Sequence, residues 1–169
     1  MGLPFMPVRG ILGSDYMRIR EEFKVIKNPY NGEEKLAAVP AIVPDVAAFH
    51  AYQADRQGNV MADASQSSKL LAQAASRAVI ATVEELVDNL TWRRNWSFIP
   101  ANFITAVAHA PCGAHPASCS GYYDIDSAHM QEYVAAAKDP EKWKAYLDKY
   151  IYSLEGHQQY LESLGPGGR

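Results

Sequence analysis

The chain has 169 residues, of which 48% are hydrophobic, enough to bury one core and short enough that a single domain over 1–169 is expected. Nineteen acidic residues against sixteen basic ones leave a formal charge of −3, so the concentrated positive surface that a nucleic-acid backbone demands is missing and no nucleic-acid partner is expected. No apolar run approaches the ~18 residues that span a bilayer, because Pro40, Pro44 and Asp45 interrupt the best one, and no membrane partner is expected.

The chain opens with "GLPFMPVRGILGSD", which reads as neither a strand nor a helix, since Pro4 and Pro7 remove backbone donors and turn the residues before them away from helix. It is not a secretion signal: no basic residue precedes the apolar run and Arg9 follows it at once. Met6 stands where a myristoylation signal takes Ser or Thr. The expected location is the cytoplasm, with the two cysteines reduced.

Residues 23–42 place β-prone runs on either side of "NPYNG", whose Asn-Gly pair tolerates positive φ, and predict a β-hairpin. "DVAAFHAYQ" after Pro44 is a nearly continuous apolar run of strand length that predicts burial on both faces. Residues 65–77 predict a short amphipathic helix with Leu70, Leu71, Ala74 and Ala75 on one stripe. "AVIATVEELV" then predicts a strand ending in Glu84 and Glu85, which completes a βαβ unit. Residues 103–110 predict another buried strand, followed by the turn-rich "HAPCGAHPASCSGYYD".

The last third is predicted to be helical. A first helix there is expected to bury Met130, Tyr133, Val134 and Ala137. Asp139 before Pro140 is an N-cap with proline at the first helical position, and Trp143, Tyr146, Leu147, Tyr150, Ile151 and Leu154 follow at helical spacing. "GHQQYLESLG" adds a final turn or two before the tail "GPGGR". The fold class is therefore α/β: a mostly parallel sheet flanked by helices, with a β-hairpin and a helical carboxyl-terminal third.

His109, Cys112, His115 and Cys119 form an H-x2-C-x2-H-x3-C run of zinc-ligand residue types. Pro111 and Pro116 restrict how that loop can wrap an ion, so the favoured reading is a loop with soft side chains and no metal. His50, Tyr52, Gln53 and Asp55 lie at the end of a strand, where α/β proteins place ligand groups. The competing reading makes Asp55 the start of a turn, Gly58 its positive-φ residue and Asn59 its cap. Glu84 and Glu85 are adjacent, so alternation lets at most one point into a shared crevice. Trp92, Trp96, Phe98 and Phe103 read as core or as a partner surface, which leaves a non-catalytic interaction module as one alternative. No Gly-x-Gly-x-x-Gly, Walker, Gly-x-Ser-x-Gly or His-Glu-x-x-His motif occurs.

Taken in order, "LPFMPVRGILGSD", "KNPYNGEEKLAAVPAIVPDVAAFHAYQADRQGNV", "ATVEELVD" and "APCGAHP…GYYDID" resemble the α subunit of the family I CoA-transferases, of the glutaconate CoA-transferase type. That group includes ring-cleaving acyl-CoA hydrolases of steroid breakdown. The resemblance implies an acyl-CoA:carboxylate CoA-transferase acting on a dicarboxylic acyl-CoA, with coenzyme A thioester as substrate and no permanently bound cofactor. It implies covalent catalysis by a glutamate carried on a β subunit, so no catalytic residue is expected in this chain, and an α2β2-type assembly. It further implies that the chain is the carboxyl-terminal part of a longer subunit, inactive alone. Matched position by position, Arg9 would pair with the free carboxylate of the substrate, and His50, Gln53, Asp55 and Asn59 would lie near the crevice and the subunit interface.

Overall fold

The computed structural model describes residues 3–164; the tail "GPGGR" lies outside the described residues. The chain divides after Pro44 into two compact units. In the first, β1 (Phe5–Val8), β2 (Lys24–Lys27) and β3 (Lys35–Pro40) form an antiparallel sheet of order β1-β3-β2, and a single helical turn, α1 (Tyr16–Ile19), follows β1.

The expected hairpin is β2 and β3, with Lys24 opposite Ala38 and Lys27 opposite Lys35. Its turn differs from the tight Asn-Gly form: neither Asn31 nor Gly32 takes positive φ. Instead the Asn28 side chain accepts from the Tyr30 amide at 3.0 Å and the Asn31 side chain from the Glu33 amide at 3.3 Å, so two Asx turns carry a wider loop. The opening stretch, unreadable as a strand, is one after all. β1 lies at a sheet edge, with Pro7 opposite Ala38, and an edge strand tolerates proline.

The second unit holds a five-stranded sheet of order β7-β5-β4-β6-β8, formed by β4 (Val46–Asp55), β5 (Val60–Asp63), β6 (Ala78–Val87), β7 (Trp96–Ile99) and β8 (Ala106–His109). The sheet is mixed. β4, β6 and β8 are parallel, while β5 turns back from β4 in a hairpin and pairs with β7, also antiparallel. The helix α2 (Ser68–Ala74) lies between β5 and β6 in sequence, so the expected strand–helix–strand unit carries an extra strand.

The period-2 pattern explains the packing: Ala47 opposes Val79 and Ala51 opposes Val83, and these residues join Ala54, Val60, Ala72, Ala81 and Ile99 in the core. Small alanines let α2 approach the sheet, and Phe49, Phe103 and Val107 fill in around them. β8, expected to be buried, is an exposed edge with only Val107 partly covered, because the sheet order places it outermost.

The last third is helical: α3 (Ser127–Ala136), α4 (Pro140–Leu147) running into a π-turn at Asp148–Tyr152, and α5 (His157–Ser163). α3 buries His129 and Ala136, not the expected Met130, Tyr133, Val134 and Ala137. The face is rotated because His129 is fastened to Tyr146, whose hydroxyl lies 2.7 Å from its Nε2. No helix among the described residues is long and apolar enough to cross a membrane.

Asp139 caps α4 as expected, its Oδ1 accepting from the amides of Glu141 at 2.9 Å and Lys142 at 3.1 Å. Asp139→Ala is expected to lower stability by about 1 kcal/mol, read as a lower urea midpoint with an unchanged slope.

Candidate functional site

β4 and β6 end side by side, and parallel strand ends gather polar groups because the next connections diverge there. At this place Glu84 is buried, only 6% exposed. Its Oε1 accepts from His50 Nε2 at 2.6 Å and from the Tyr123 hydroxyl at 2.7 Å; its Oε2 accepts from the Cys112 amide at 2.8 Å. The Cys119 thiol bonds to the same carboxyl. His50 donates through Nε2, which leaves Nδ1 to accept from the Thr82 hydroxyl at 2.8 Å, so its tautomer follows from the network. His109 Nε2 donates to the Glu84 carbonyl at 3.1 Å.

Glu85 has its own partners. Gln53 donates to it at 2.7 Å and Tyr122 at 3.2 Å, while Gln53 Oε1 accepts from the Thr91 amide at 3.0 Å. Adjacent carboxyls thus have separate partner sets, as alternation requires.

Beside the Glu84 network is a cleft of about 190 Å³ bordered by His50, Tyr52, Asp63, Cys119 and Ser120. Tyr52 and Asp63 are joined by a 3.0 Å hydrogen bond. Burial, then this carboxylate, pushes the Tyr52 hydroxyl up to about 12. Burial, then the charge of Glu84, pushes the Cys119 thiol to about 12, which keeps it a proton donor and not a nucleophile near neutrality.

Of the residues singled out in the sequence, His50 and Gln53 join these networks. Asp55 and Asn59 form the β4–β5 turn: Asp55 accepts from the amides of Gln57 and Asn59 and from the Asn59 side chain at 2.8–3.0 Å, with Gly58 at φ +87°. Asn59 Oδ1 in turn accepts from the Ala101 amide at 3.0 Å. Arg9 belongs to the first unit, where its Nε lies 2.5 Å and its Nη2 3.1 Å from the two oxygens of Glu34.

The His/Cys run does not converge on one ligand set among the described residues. His109 and Cys112 bond Glu84, whereas His115 Nε2 lies 3.3 Å from Asp126 and its Nδ1 accepts from the Tyr160 hydroxyl at 2.7 Å. Two other groups bring ligand atoms within 4.8 Å of one another, His50 with Glu84 and Cys119, and His115 with Asp126 and His129. In both, the named atoms already hydrogen-bond inside the protein. Thr82, Tyr122, Tyr123 and the Cys112 amide escaped the sequence reading; Glu84 was seen, but nothing in its neighbours pointed to partners 28–39 residues away.

Gly113 passes so close to the His50 ring that an added Cβ would lie 2.8 Å from Nδ1 and 2.7 Å from the Ala110 carbonyl oxygen. Gly113→Ala is expected to destabilise by about 1–3 kcal/mol in urea unfolding, whereas Gly32→Ala, which meets open space, stays within about 0.5 kcal/mol. Equal effects would remove the case for a required close approach. Burial, then neighbouring His115, holds His129 below its ordinary 6.5; Asp126 and Glu132 pull the other way, and Lys149 adds to the lowering. The unfolded chain therefore binds more protons there, so stability is present above pH 6.5 and falls as pH drops through the lowered value. The urea midpoint should decline with acid in this window, and His129→Gln should flatten the decline.

No family model matches the chain. It is 37% identical over 98% of its length to the α-type chain of 3-oxoadipate CoA-transferase from Pseudomonas knackmussii, covering 58% of that protein. It is 34% identical over 98% of its length to the α-type chain of glutaconate CoA-transferase from Acidaminococcus fermentans, covering 57% of it. The crystal structure of that organism's glutaconate coenzyme A-transferase superposes with a TM-score of 0.88 over 99% of this chain and 58% of the other. The cholesterol ring-cleaving hydrolase IpdA subunit from Rhodococcus jostii is 29% identical over 93% of this chain and 57% of its own. The chain thus spans less than three-fifths of the length of these relatives. In sequence and in fold the chain is similar to the α-type subunits of these CoA-transferases.

Proposed function

We propose that the chain is part of one subunit of a cytoplasmic acyl-CoA:carboxylate CoA-transferase that moves CoA between a dicarboxylic acyl-CoA and a carboxylic acid. The observation that carries the reading is the likeness to two such subunits over 98% of the chain. In this reaction a glutamate carboxylate attacks the thioester carbonyl and CoA thiolate leaves, forming an anhydride. The thiolate then attacks the glutamyl carbonyl and expels the first acid. The second acid reverses both steps, so atoms and charge balance.

The nucleophile is assigned to a partner β subunit in an α2β2-type assembly. Support comes from Glu84, the buried carboxyl beside the cleft, both of whose oxygens already accept hydrogen bonds. His50 borders the cleft beside Glu84, Gln53 holds Glu85 on the other face of the strands, and Asp55 and Asn59 brace the turn that ends β4. Arg9, 75% exposed, exchanges Glu34 for the free carboxylate of the substrate. CoA enters as a thioester substrate, with no resident cofactor. A second reading, hydrolysis of the thioester or of a ring, is favoured by the likeness to the IpdA subunit.

The test is CoA transfer measured on the chain alone and on the chain completed to the length of its relatives and co-expressed with a β subunit. The expected result is no transfer alone, and transfer in the assembly, where borohydride added with acyl-CoA reduces the glutamyl-CoA thioester to the alcohol of one β-subunit glutamate and releases CoA. Transfer by the chain alone overturns the assignment, and free CoA released without an acceptor acid selects the hydrolase reading.

A further inference from the structure

Three side chains with no bond to Glu84 meet where the 110–123 connection runs into the last helices. His115 comes from that connection, Asp126 is the N-cap of α3 and His129 is the third residue of the helix. A ligand atom of each lies within 4.8 Å of the other two. The His115 side chain is 2% exposed and that of Asp126 35%, so the group is closed around the histidine and open to solvent at the carboxylate.

The spacing sets this group apart from an ordinary hydrogen bond. His115 Nε2 and Asp126 Oδ2 stand 3.3 Å apart, whereas His50 and Glu84, His115 and Tyr160, and His129 and Tyr146 close to 2.6–2.7 Å. A charge-assisted N–H···O bond draws in to about 2.7–2.9 Å. Two ligands on a tetrahedral zinc ion, each about 2.0–2.2 Å from the metal, stand about 3.3–3.5 Å apart. The group of His50, Glu84 and Cys119 fails this measure, because its ring and carboxyl are closed to 2.6 Å with no room for an ion between them.

The remaining polar atoms of the three side chains are anchored. Tyr160 of α5 holds His115 Nδ1 and Tyr146 of α4 holds His129 Nε2, each at 2.7 Å, and Asp126 Oδ1 accepts from the His129 amide at 2.9 Å. That leaves His115 Nε2, Asp126 Oδ2 and His129 Nδ1, the last of which takes no hydrogen bond among the described residues. A side chain at the third position of a helix reaches back over the N-cap, which turns the His129 ring towards Asp126. Metal-bound imidazoles are oriented in this way, by a partner on the ring nitrogen away from the ion.

We infer that His115, Asp126 and His129 form a binding site for one divalent transition ion of the zinc class, with water in the fourth position on the exposed side of Asp126. Two ring nitrogens and one carboxylate suit zinc and not magnesium, which takes a shell of oxygens. The N-terminus of α3 carries about half a positive charge, which the Asp126 carboxylate outweighs. With the ion on Nε2, the His115 proton sits on Nδ1 and the Tyr160 hydroxyl turns from donor to acceptor. The ion takes no part in CoA transfer. It ties the connection that carries Cys112 and Cys119 to α3 and, through the two tyrosines, to α4 and α5.

Zinc binding to the whole chain, measured by competition with a chromogenic chelator, tests the site. One zinc ion should bind per chain and raise the urea midpoint, and magnesium at the same concentration should do neither. Asp126→Asn keeps a good helix cap but loses the anionic ligand. This variant and His129→Gln should bind zinc well over about tenfold more weakly, and Tyr160→Phe, which touches only the far nitrogen of His115, about tenfold more weakly. A cooperative urea transition without zinc shows that each variant is folded. The cobalt-substituted chain should show the intense visible bands of four-coordinate cobalt with no thiolate charge-transfer band. No zinc binding by the wild type, equal binding of magnesium, wild-type affinity in Asp126→Asn, or a thiolate band that places the ion on the cysteines overturns the inference.

Discussion

The second unit depends on a single buried carboxyl. Glu84 sits on a central parallel strand and draws in a ring from β4, a backbone amide and two further side chains from the 110–123 connection. A carboxyl removed from water costs several kcal/mol unless donors replace the water it loses. Here His50, Tyr123, Cys112 and Cys119 do so together, and each brings with it the segment on which it rides. Cys112 takes a left-handed backbone, φ +57°, to aim its amide at Glu84. Such a conformation costs about 1–2 kcal/mol in a residue with a Cβ, and a charge-assisted hydrogen bond offsets it.

That network also decides what the neighbouring cleft can do. His50 has both ring nitrogens engaged, one by Glu84 and one by Thr82, so its ring is held in place and in tautomer. The Cys119 thiol, facing the same carboxylate, is kept protonated. The walls are donors fixed by their own hydrogen bonds and aromatic faces, an arrangement that holds a bound group still. Tyr52 links this cleft to a wider one, since it borders both and bonds Asp63.

Much of the fold was legible because its signals are local. The apolar runs in Val46–Asp55 and Ala78–Val87 predicted two strands, though not which face of each is buried, and Asp139-Pro140 predicted a helix start. Where the reading went astray, a distant partner had overridden a local rule. Pro7 sits in a strand because β3 leaves it on an edge, and α3 turns a histidine inward because Tyr146 meets it there. The site was legible only in part for the same reason. "HAYQADRQGN" and the paired glutamates were visible as polar strand ends, but the closing loop lies 28–39 residues further on, and its His/Cys run read only as a loop with soft side chains. The run spends those groups separately, His109, Cys112 and Cys119 on Glu84 and His115 on Asp126 and Tyr160.

Net charge was the weakest of the sequence arguments when applied to a small ligand. A total of −3 speaks against a long polyanion, which needs positive charge spread along many phosphates. A single polyphosphate samples only the field within a Debye length, about 8 Å in physiological salt. Over that range the count that matters is of charges not already paired. Asp88 is paired with Arg56 at 2.8 Å, whereas Asp63 bonds only neutral donors, Ser65 and Tyr52, and keeps its full charge. In the cleft of about 620 Å³ bordered by Tyr52, Asp63, Arg94 and Trp96, the field is therefore set by the local balance of one carboxylate and one guanidinium and not by the total charge, because low-dielectric walls such as the Tyr52–Trp96 stack concentrate it.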